Sequence, residues 1–262
     1  MSFLDKILIA KRAEIAVAQS ARPLDAVKSL AARRTDFRPF AAALNAPGIR
    51  VIAEIKRASP SLGDIAPHLD PAALARAYTA GGAAALSVLT EPAYFKGSAA
   101  DLQQARAATT IPVLRKDFII DPYQVYETAA IGADAMLLIV RILDVARLRD
   151  LLQLAHSIGL DTLVEIHDEA DARRLDGINA PVIGINNRDL AHFHTDVHRA
   201  ARIADLLPPD TAVVAASGIR NATDIRQSLA SGIRRFLVGE ALVKTPDPAA
   251  LLREWTSHPM SP

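Results

Sequence analysis

From Val51 onward the chain alternates short apolar, β-rich runs with longer stretches of helical period. The apolar runs are Val51–Ile55, Ala85–Leu89, Val113–Arg115, Ala135–Ile139, Thr162–Ile166, Val182–Ile185, Ala212–Ala215 and Arg235–Val238. Between them the spacing predicts helices over Pro71–Ala80, Ser98–Ala107, Pro122–Ile131, Asp144–Ile158 and Ala222–Ala230. The punctuation agrees with this reading. Asp70-Pro71 and Asp121-Pro122 are N-cap residues followed by proline at the first helical position, and Gly81, Gly132 and Gly232 stand where helices should stop. Strand–helix alternation implies parallel strands joined by crossover helices. Eight such units closing on themselves predict an α/β protein of the (β/α)8 TIM-barrel class. Residues 1–49 precede the first strand and hold two further helical patterns, Phe3–Ser20 and Pro39–Leu44. They are expected to form an N-terminal helical extension covering part of the barrel or its mouth. No linker or composition shift divides residues 1–262, so one domain is expected. An open doubly wound sheet would need a glycine-rich phosphate loop after the first strand, and the chain reads Arg57-Ala-Ser-Pro-Ser61 there instead.

Composition narrows the partners. Lys and Arg total 30 against 29 for Asp and Glu, which gives no electrostatic case for nucleic acid or an anionic membrane. Half of the residues are hydrophobic, enough for a sizeable core, yet no apolar run approaches the ~20 residues of a membrane helix. Near the start only Ile7–Ala10 is unbroken and apolar, too short for a signal-peptide core. Cysteine is absent, which excludes disulfides and thiolate chemistry. These features fit a soluble cytoplasmic protein.

The most informative chemistry lies in Val51-Ile-Ala-Glu-Ile-Lys-Arg-Ala-Ser-Pro-Ser61. Side chains two apart on a strand share a face, so Glu54 and Lys56 point the same way out of an apolar strand. Burying either charge alone is costly, and such groups gather at functional sites, although an ion pair capping the strand end is the plainer alternative. A barrel works at the carboxyl ends of its strands. Those ends carry Glu54, Lys56, Ser87, Lys116, Glu165, Asn186 and Ser217, while the fourth strand ends in Leu138, Ile139 and Val140 and offers only wall. Ser217-Gly218-Ile219 and Gly239-Glu240 follow the last two strands, where barrels often bind phosphate through backbone N–H groups. His192, His194 and His198 lie close together but in a loop with no carboxylate completing a ligand pattern, so they read as solvated and no metal is expected. His167 follows Glu165 out of the fifth strand; a lone strand-end histidine assigns nothing. The runs Arg33-Arg34, Arg173-Arg174 and Arg234-Arg235 read as solvated surface.

Taken together, several strings resemble indole-3-glycerol phosphate synthases. They are the Val51–Ser61 segment, Leu86-Ser-Val-Leu-Thr-Glu91, Pro112-Val-Leu-Arg-Lys-Asp-Phe-Ile-Ile-Asp121, Gly132-Ala-Asp-Ala135, Leu163-Val-Glu-Ile-His167, Ile183-Gly-Ile-Asn-Asn-Arg-Asp-Leu190, Ser217-Gly-Ile219 and Phe236-Leu-Val-Gly-Glu240. The resemblance runs in order from Val51 to the end of the barrel, and the N-terminal helix also looks like the family's extension. It implies closure of an anthranilate-derived aminodeoxyribulose phosphate to indole-3-glycerol phosphate, with loss of carbon dioxide and water, in tryptophan biosynthesis. No metal or organic cofactor is expected in such a family. The resemblance makes Lys116 the proton donor to the developing alkoxide, Lys56 the anion anchor and Glu165 the acid or base of the dehydration. Glu54 would orient Lys56 and Asn186 would hold the sugar hydroxyls. Ser59, Ser87, Phe95, Phe118, Leu138, Arg188, Gly218, Gly239 and Glu240 are expected to line the substrate or its phosphate, with Phe95, Phe118 and Leu138 forming an apolar slot for the ring.

Two positions depart from the pattern. The family usually carries Glu before Ser-Gly-Ile, where this chain has Ala216, and many members have Lys where this chain has Leu62. A weakened or non-catalytic phosphosugar-binding barrel is therefore one alternative. Another phosphosugar barrel, such as a phosphoribosylanthranilate isomerase, is a second, but it would leave one Lys–Glu set unexplained. A monomer or weak homodimer is expected.

Overall fold

Every one of the eight apolar runs is a strand in the computed structural model, which describes residues 3–187 and 199–257. They are β1 (Arg50–Ile55), β2 (Ala85–Leu89), β3 (Val113–Lys116), β4 (Ala135–Ile139), β5 (Asp161–Ile166), β6 (Val182–Asn186), β7 (Ala212–Ala216) and β8 (Arg235–Val238). All neighbours pair in parallel, and β8 returns to β1 with Val51 opposite Phe236, closing the barrel. Strand alternation then sorts the side chains into two layers. Ile52, Leu114, Leu137, Leu163, Val214 and Leu237 fill the barrel interior. Their neighbours Val51, Val113, Leu138, Val164, Ile183 and Phe236 pack outward against the helices.

The helices are α1 (Phe3–Ala21), α2 (Leu24–Ala32), α3 (Phe40–Asn45), α4 (Pro71–Ala80), α5 (Ala99–Ala107), α6 (Pro122–Ala130), α7 (Val145–Ser157), α8 (Glu169–Arg173), α9 (Arg199–Ala204), α10 (Ala222–Ala230), α11 (Glu240–Lys244) and α12 (Pro248–Thr256). The caps act as the sequence indicates. Asp70 accepts from the N–H groups of Ala72 and Ala73, and Asp121 forms a reciprocal box with Gln124. Several short elements escaped the periodicity: α2, α8, α9, α11, α12, and a hairpin pairing Ala58–Ser59 with Gly63–Asp64. For α12 the signal was present, since Asp247-Pro248 repeats the cap seen at α4 and α6.

The first 49 residues reach both ends of the barrel. At the amino ends of the strands, α3 inserts Phe40 and Leu44, both fully buried, into the interior cluster. Two polar contacts fix it there: Ala41 N–H donates to Asp161 Oδ2 (2.9 Å), and Arg235 Nε donates to Leu44 O (2.9 Å). Helix α1 lies against α6, where Ile15 packs with Tyr123 and Val27, and the Tyr123 hydroxyl donates to Ala18 O and Arg22 O. Lys11, only 2% exposed, runs inward from α1 to Asp117 Oδ1 at 2.8 Å.

The arginine runs are not solvated surface, which corrects the sequence reading. In each pair the first residue is exposed and the second turns in. Arg34 bonds Ala133 O and Asp134, Arg174 bonds Val140 O (2.8 Å) and Leu143 O, and Arg235 bonds Leu44 O and Asn45. Carbonyls left over at loops and helix ends need donors, and a guanidinium supplies several at once.

Candidate active site

Interior-facing positions at the carboxyl ends of the strands converge on one cavity. Its lining includes Glu54, Lys56, Ser59, Phe95, Lys116, Phe118, Glu165, Asn186 and Ser217. At its base Glu54 is 2% exposed and takes one ammonium on each carboxylate oxygen. Lys56 Nζ lies 2.8 Å from Oε1, and Lys116 Nζ donates to Oε2 at 2.7 Å. Burial alone would raise the Glu54 carboxyl, but Lys116 and Lys56 outweigh it and hold the group at about 2. Glu54 is thus a fixed carboxylate that orients both lysines, where the sequence reading paired it with Lys56 alone. The ion pair suspected at a strand end exists, and it stands inside the cavity.

Gly239, just beyond β8, has a role that its position after a strand did not disclose. A Cβ built there would come within 2.5 Å of Glu54 Oε1. The absent side chain makes room for the carboxylate to reach its lysines.

On the far wall, Glu165 ends β5 and Asn186 ends β6, with Asn186 Nδ2 donating to Glu165 Oε1 at 3.3 Å. The loop after β7 is left-handed at two successive residues, Ser217 (φ 70°) and Gly218 (φ 86°). This conformation is strained for serine and persists where surroundings impose it. Asn187 does so here: fully buried, it donates from Nδ2 to Ser217 O (3.1 Å) and accepts from Ala200 N–H (3.2 Å).

The apolar slot forms between Phe95 and Phe118, whose ring centroids lie 6.3 Å apart at 45°. Glu91 shapes it by accepting the backbone N–H groups of Ala93, Tyr94 and Phe95. The rest of the slot is Leu89, Leu137 and Ile139, with Leu4 of α1 at its edge.

Two expected contacts need correcting. Leu138 faces the helices, because alternation along β4 turns Leu137 and Ile139 inward. Ser87 pairs with Glu54 in register but is wholly buried beneath the cavity, and its Oγ finds no hydrogen-bond partner among the described residues. Glu240, at the start of α11, pairs with Lys244 (2.7 Å), which leaves its expected place by the phosphate open. Arg188, His192, His194 and His198 lie outside the described residues.

The sequence reading also missed the groups that hold the site. Asp117, buried beside Lys116, accepts from Thr90 Oγ1 (2.6 Å) and Arg115 (3.2 Å) and receives Lys11 from α1. Burial would raise the Asp117 carboxyl, yet Arg115 and Lys11 hold it low. Alternation could have identified Leu137 and Ile139, whereas nothing local announces Lys11.

Comparison with known proteins supplies the remaining context. The sequence profile described as indole-3-glycerol phosphate synthase matches residues 4–255. An indole-3-glycerol phosphate synthase from Desulfosudis oleivorans is 51% identical over 255 residues, covering 96% of this chain and 97% of its own length. One from Burkholderia ambifaria is 47% identical over 249 residues, covering 94% and 95%. Among solved structures, the thiamine phosphate pyrophosphorylase of Pyrococcus furiosus superposes with a TM-score of 0.60 at 16% identity, covering 79% of this chain and 93% of that one. At that identity the likeness concerns the barrel alone.

Proposed function

The chain belongs to the indole-3-glycerol phosphate synthase family, and from that membership we propose how its cavity performs the reaction. The enzyme is a carboxy-lyase of tryptophan biosynthesis. It closes 1-(2-carboxyphenylamino)-1-deoxyribulose 5-phosphate to indole-3-glycerol phosphate, releasing carbon dioxide and water.

The observation that carries the assignment of roles is the pair of ammoniums on one buried carboxylate, facing an aromatic slot. The anthranilate ring lies against Phe95 and Phe118. Its carbon attacks the ketone, the carbonyl electrons move to oxygen, and Lys116 donates a proton to the alkoxide as it forms. Lys56 holds the substrate's carboxylate until carbon dioxide departs and the electron pair returns to the ring. Glu165 then serves the dehydration, with Asn186 holding both Glu165 and a sugar hydroxyl. The left-handed Ser217–Gly218 turn, together with the backbone after β8, receives the phosphate, and Arg188 is a further expected partner of it. Glu54 does not exchange protons at working pH, because both lysines hold it ionised. It acts by charge and geometry.

Ala216 favours a second reading, a slow enzyme. Its side chain belongs to the interior cluster where relatives are expected to carry a carboxylate. The test is turnover of the aminodeoxyribulose phosphate by the unmodified protein. Indole fluorescence appearing with carbon dioxide supports the synthase, and tight binding without product leaves only a binding barrel.

No helix among the described residues is long and apolar enough to cross a membrane. We take the enzyme to be cytoplasmic and monomeric or weakly dimeric, and its near-neutral charge supports the reading that it has no nucleic-acid partner.

A further inference from the structure

His167, one residue beyond β5, is 1% exposed and contributes nothing to the reaction as described above. Its surroundings are unusual for a buried imidazole. Nε2 lies 3.4 Å from Glu165 Oε1, and Nδ1 lies 3.6 Å from Asp171 Oδ2. Both nitrogens are closed to solvent, and neither contact is yet a formed hydrogen bond. Catalytic contacts often stand slightly long before substrate binds and tighten afterwards.

Asp171 is a rigid carboxylate. It accepts the backbone N–H of His167 (3.0 Å) and lies 3.3 Å from Arg141, which also pairs with Asp168. Burial would raise the Asp171 carboxyl, whereas His167 and Arg141 hold it low. The charged groups facing the imidazole are therefore Glu165 on β5 and Asp171 on α8, with Arg141 and Asp168 behind Asp171.

A neutral imidazole carries one N–H, yet here both ring nitrogens face carboxylate oxygens. With Asp171 holding the proton on Nδ1, a lone pair on Nε2 would oppose an ionised Glu165. Two arrangements remove that conflict. Either the ring is doubly protonated beside a carboxylate, or it is neutral beside a protonated Glu165. Both hold the same number of protons and differ only in where one of them sits.

We propose that His167 is the proton partner of Glu165, the two sharing one proton between Nε2 and Oε1 while Asp171 and Arg141 fix the ring. This rests on the role given to Glu165 above. In the dehydration, Glu165 in its acid form protonates the departing hydroxyl. The C–O bond breaks with its electrons on oxygen, and water leaves. What remains is a neutral imidazole against a carboxylate, a combination that strongly favours taking a proton back. The ring carbon supplies it: its C–H electrons enter the new double bond, and the proton goes to Glu165, shared again with Nε2. The pair ends as it began. His167 touches no substrate and is a positioning residue acting through Glu165.

The experiment compares wild type, His167→Gln and Glu165→Gln by steady-state kinetics across pH, with 15N NMR of the imidazole in the full chain. His167→Gln is expected to lower kcat by about 10- to 100-fold at nearly unchanged KM. Its pH–kcat profile should change shape relative to wild type, a response that lost packing would not produce. In the NMR experiment Glu165→Gln should alter the Nε2 signal and leave Nδ1 unchanged. That measurement uses a variant with His167 intact, so it stands even if His167→Gln fails to fold. Wild-type kcat and an unchanged profile in His167→Gln, or an Nε2 signal indifferent to Glu165→Gln, overturn the proposal. If Glu165→Gln itself keeps full turnover, the fault lies in the role assigned to Glu165.

Discussion

At the scale of single residues, the candidate site is built around one buried carboxylate that two ammoniums keep ionised. Glu54 holds Lys56 and Lys116 on separate oxygens, so each lysine can be tested without dismantling the other. Lys116→Ala is expected to reduce kcat by at least about 100-fold while substrate binding stays measurable, because its proton is needed chiefly in the transition state. Single-turnover kinetics beside equilibrium binding checks this, and near-normal kcat would remove Lys116 as the acid. Gly239→Ala places a methyl group in the space Glu54 Oε1 occupies, so turnover should fall and the thermal midpoint should fall with it. A variant as active as wild type would mean that the carboxylate can shift at no cost. Ala216→Glu should raise turnover, since it supplies a carboxylate to an interior-facing position at the carboxyl end of β7; no change would mean the cavity already compensates. Much of this cavity's lining was legible from the sequence, because Glu54, Lys56, Lys116, Glu165 and Asn186 all stand at or just past strand ends. Leu138 and Ser87 were misjudged for one reason. Proximity to the mouth depends on parity and height within the barrel, and position in a motif carries neither.

At the scale of elements, the least legible contribution is that of α1. Its hydrophobic pattern identified a helix, but not that Lys11 crosses into the protein to meet Asp117, next to Lys116. A buried ion pair between residues this distant in sequence leaves no local trace. Lys11→Met would leave Asp117 with Arg115, Thr90 and the Phe118 backbone N–H, and is expected to cost about 3 kcal/mol of stability. It should also lower kcat by loosening the Lys116–Phe118 segment, and denaturant titration with kinetics separates the two effects. Unchanged stability and rate would mean that Arg115 alone suffices for Asp117. The barrel's own strands and main helices were legible because periodicity, caps and glycine stops agreed. The short α8, α9 and α11 span too few residues to show a period.

For the whole molecule, acid sensitivity follows from buried carboxyls. Glu54, Asp117 and Asp171 are all held below their ordinary values in the folded protein. Each therefore contributes stability that is fully present above the unfolded-state value and is lost as pH falls through the folded one. For Glu54 that window runs from 4.5 down to about 2. The thermal midpoint should drop across it in wild type and drop less steeply in Glu54→Gln; parallel curves would rule out Glu54 as a source.

The plug formed by α3 has a further consequence for the order of assembly. Phe40 and Leu44 emerge from the ribosome early, yet their seat is built from strands spread over the whole chain, and Arg235 holds Leu44 from 191 positions away. Contacts of such sequence separation form late and slowly. During synthesis this segment must wait, unseated, until β8 has been translated, so the nascent chain carries exposed apolar side chains while the strands between are made.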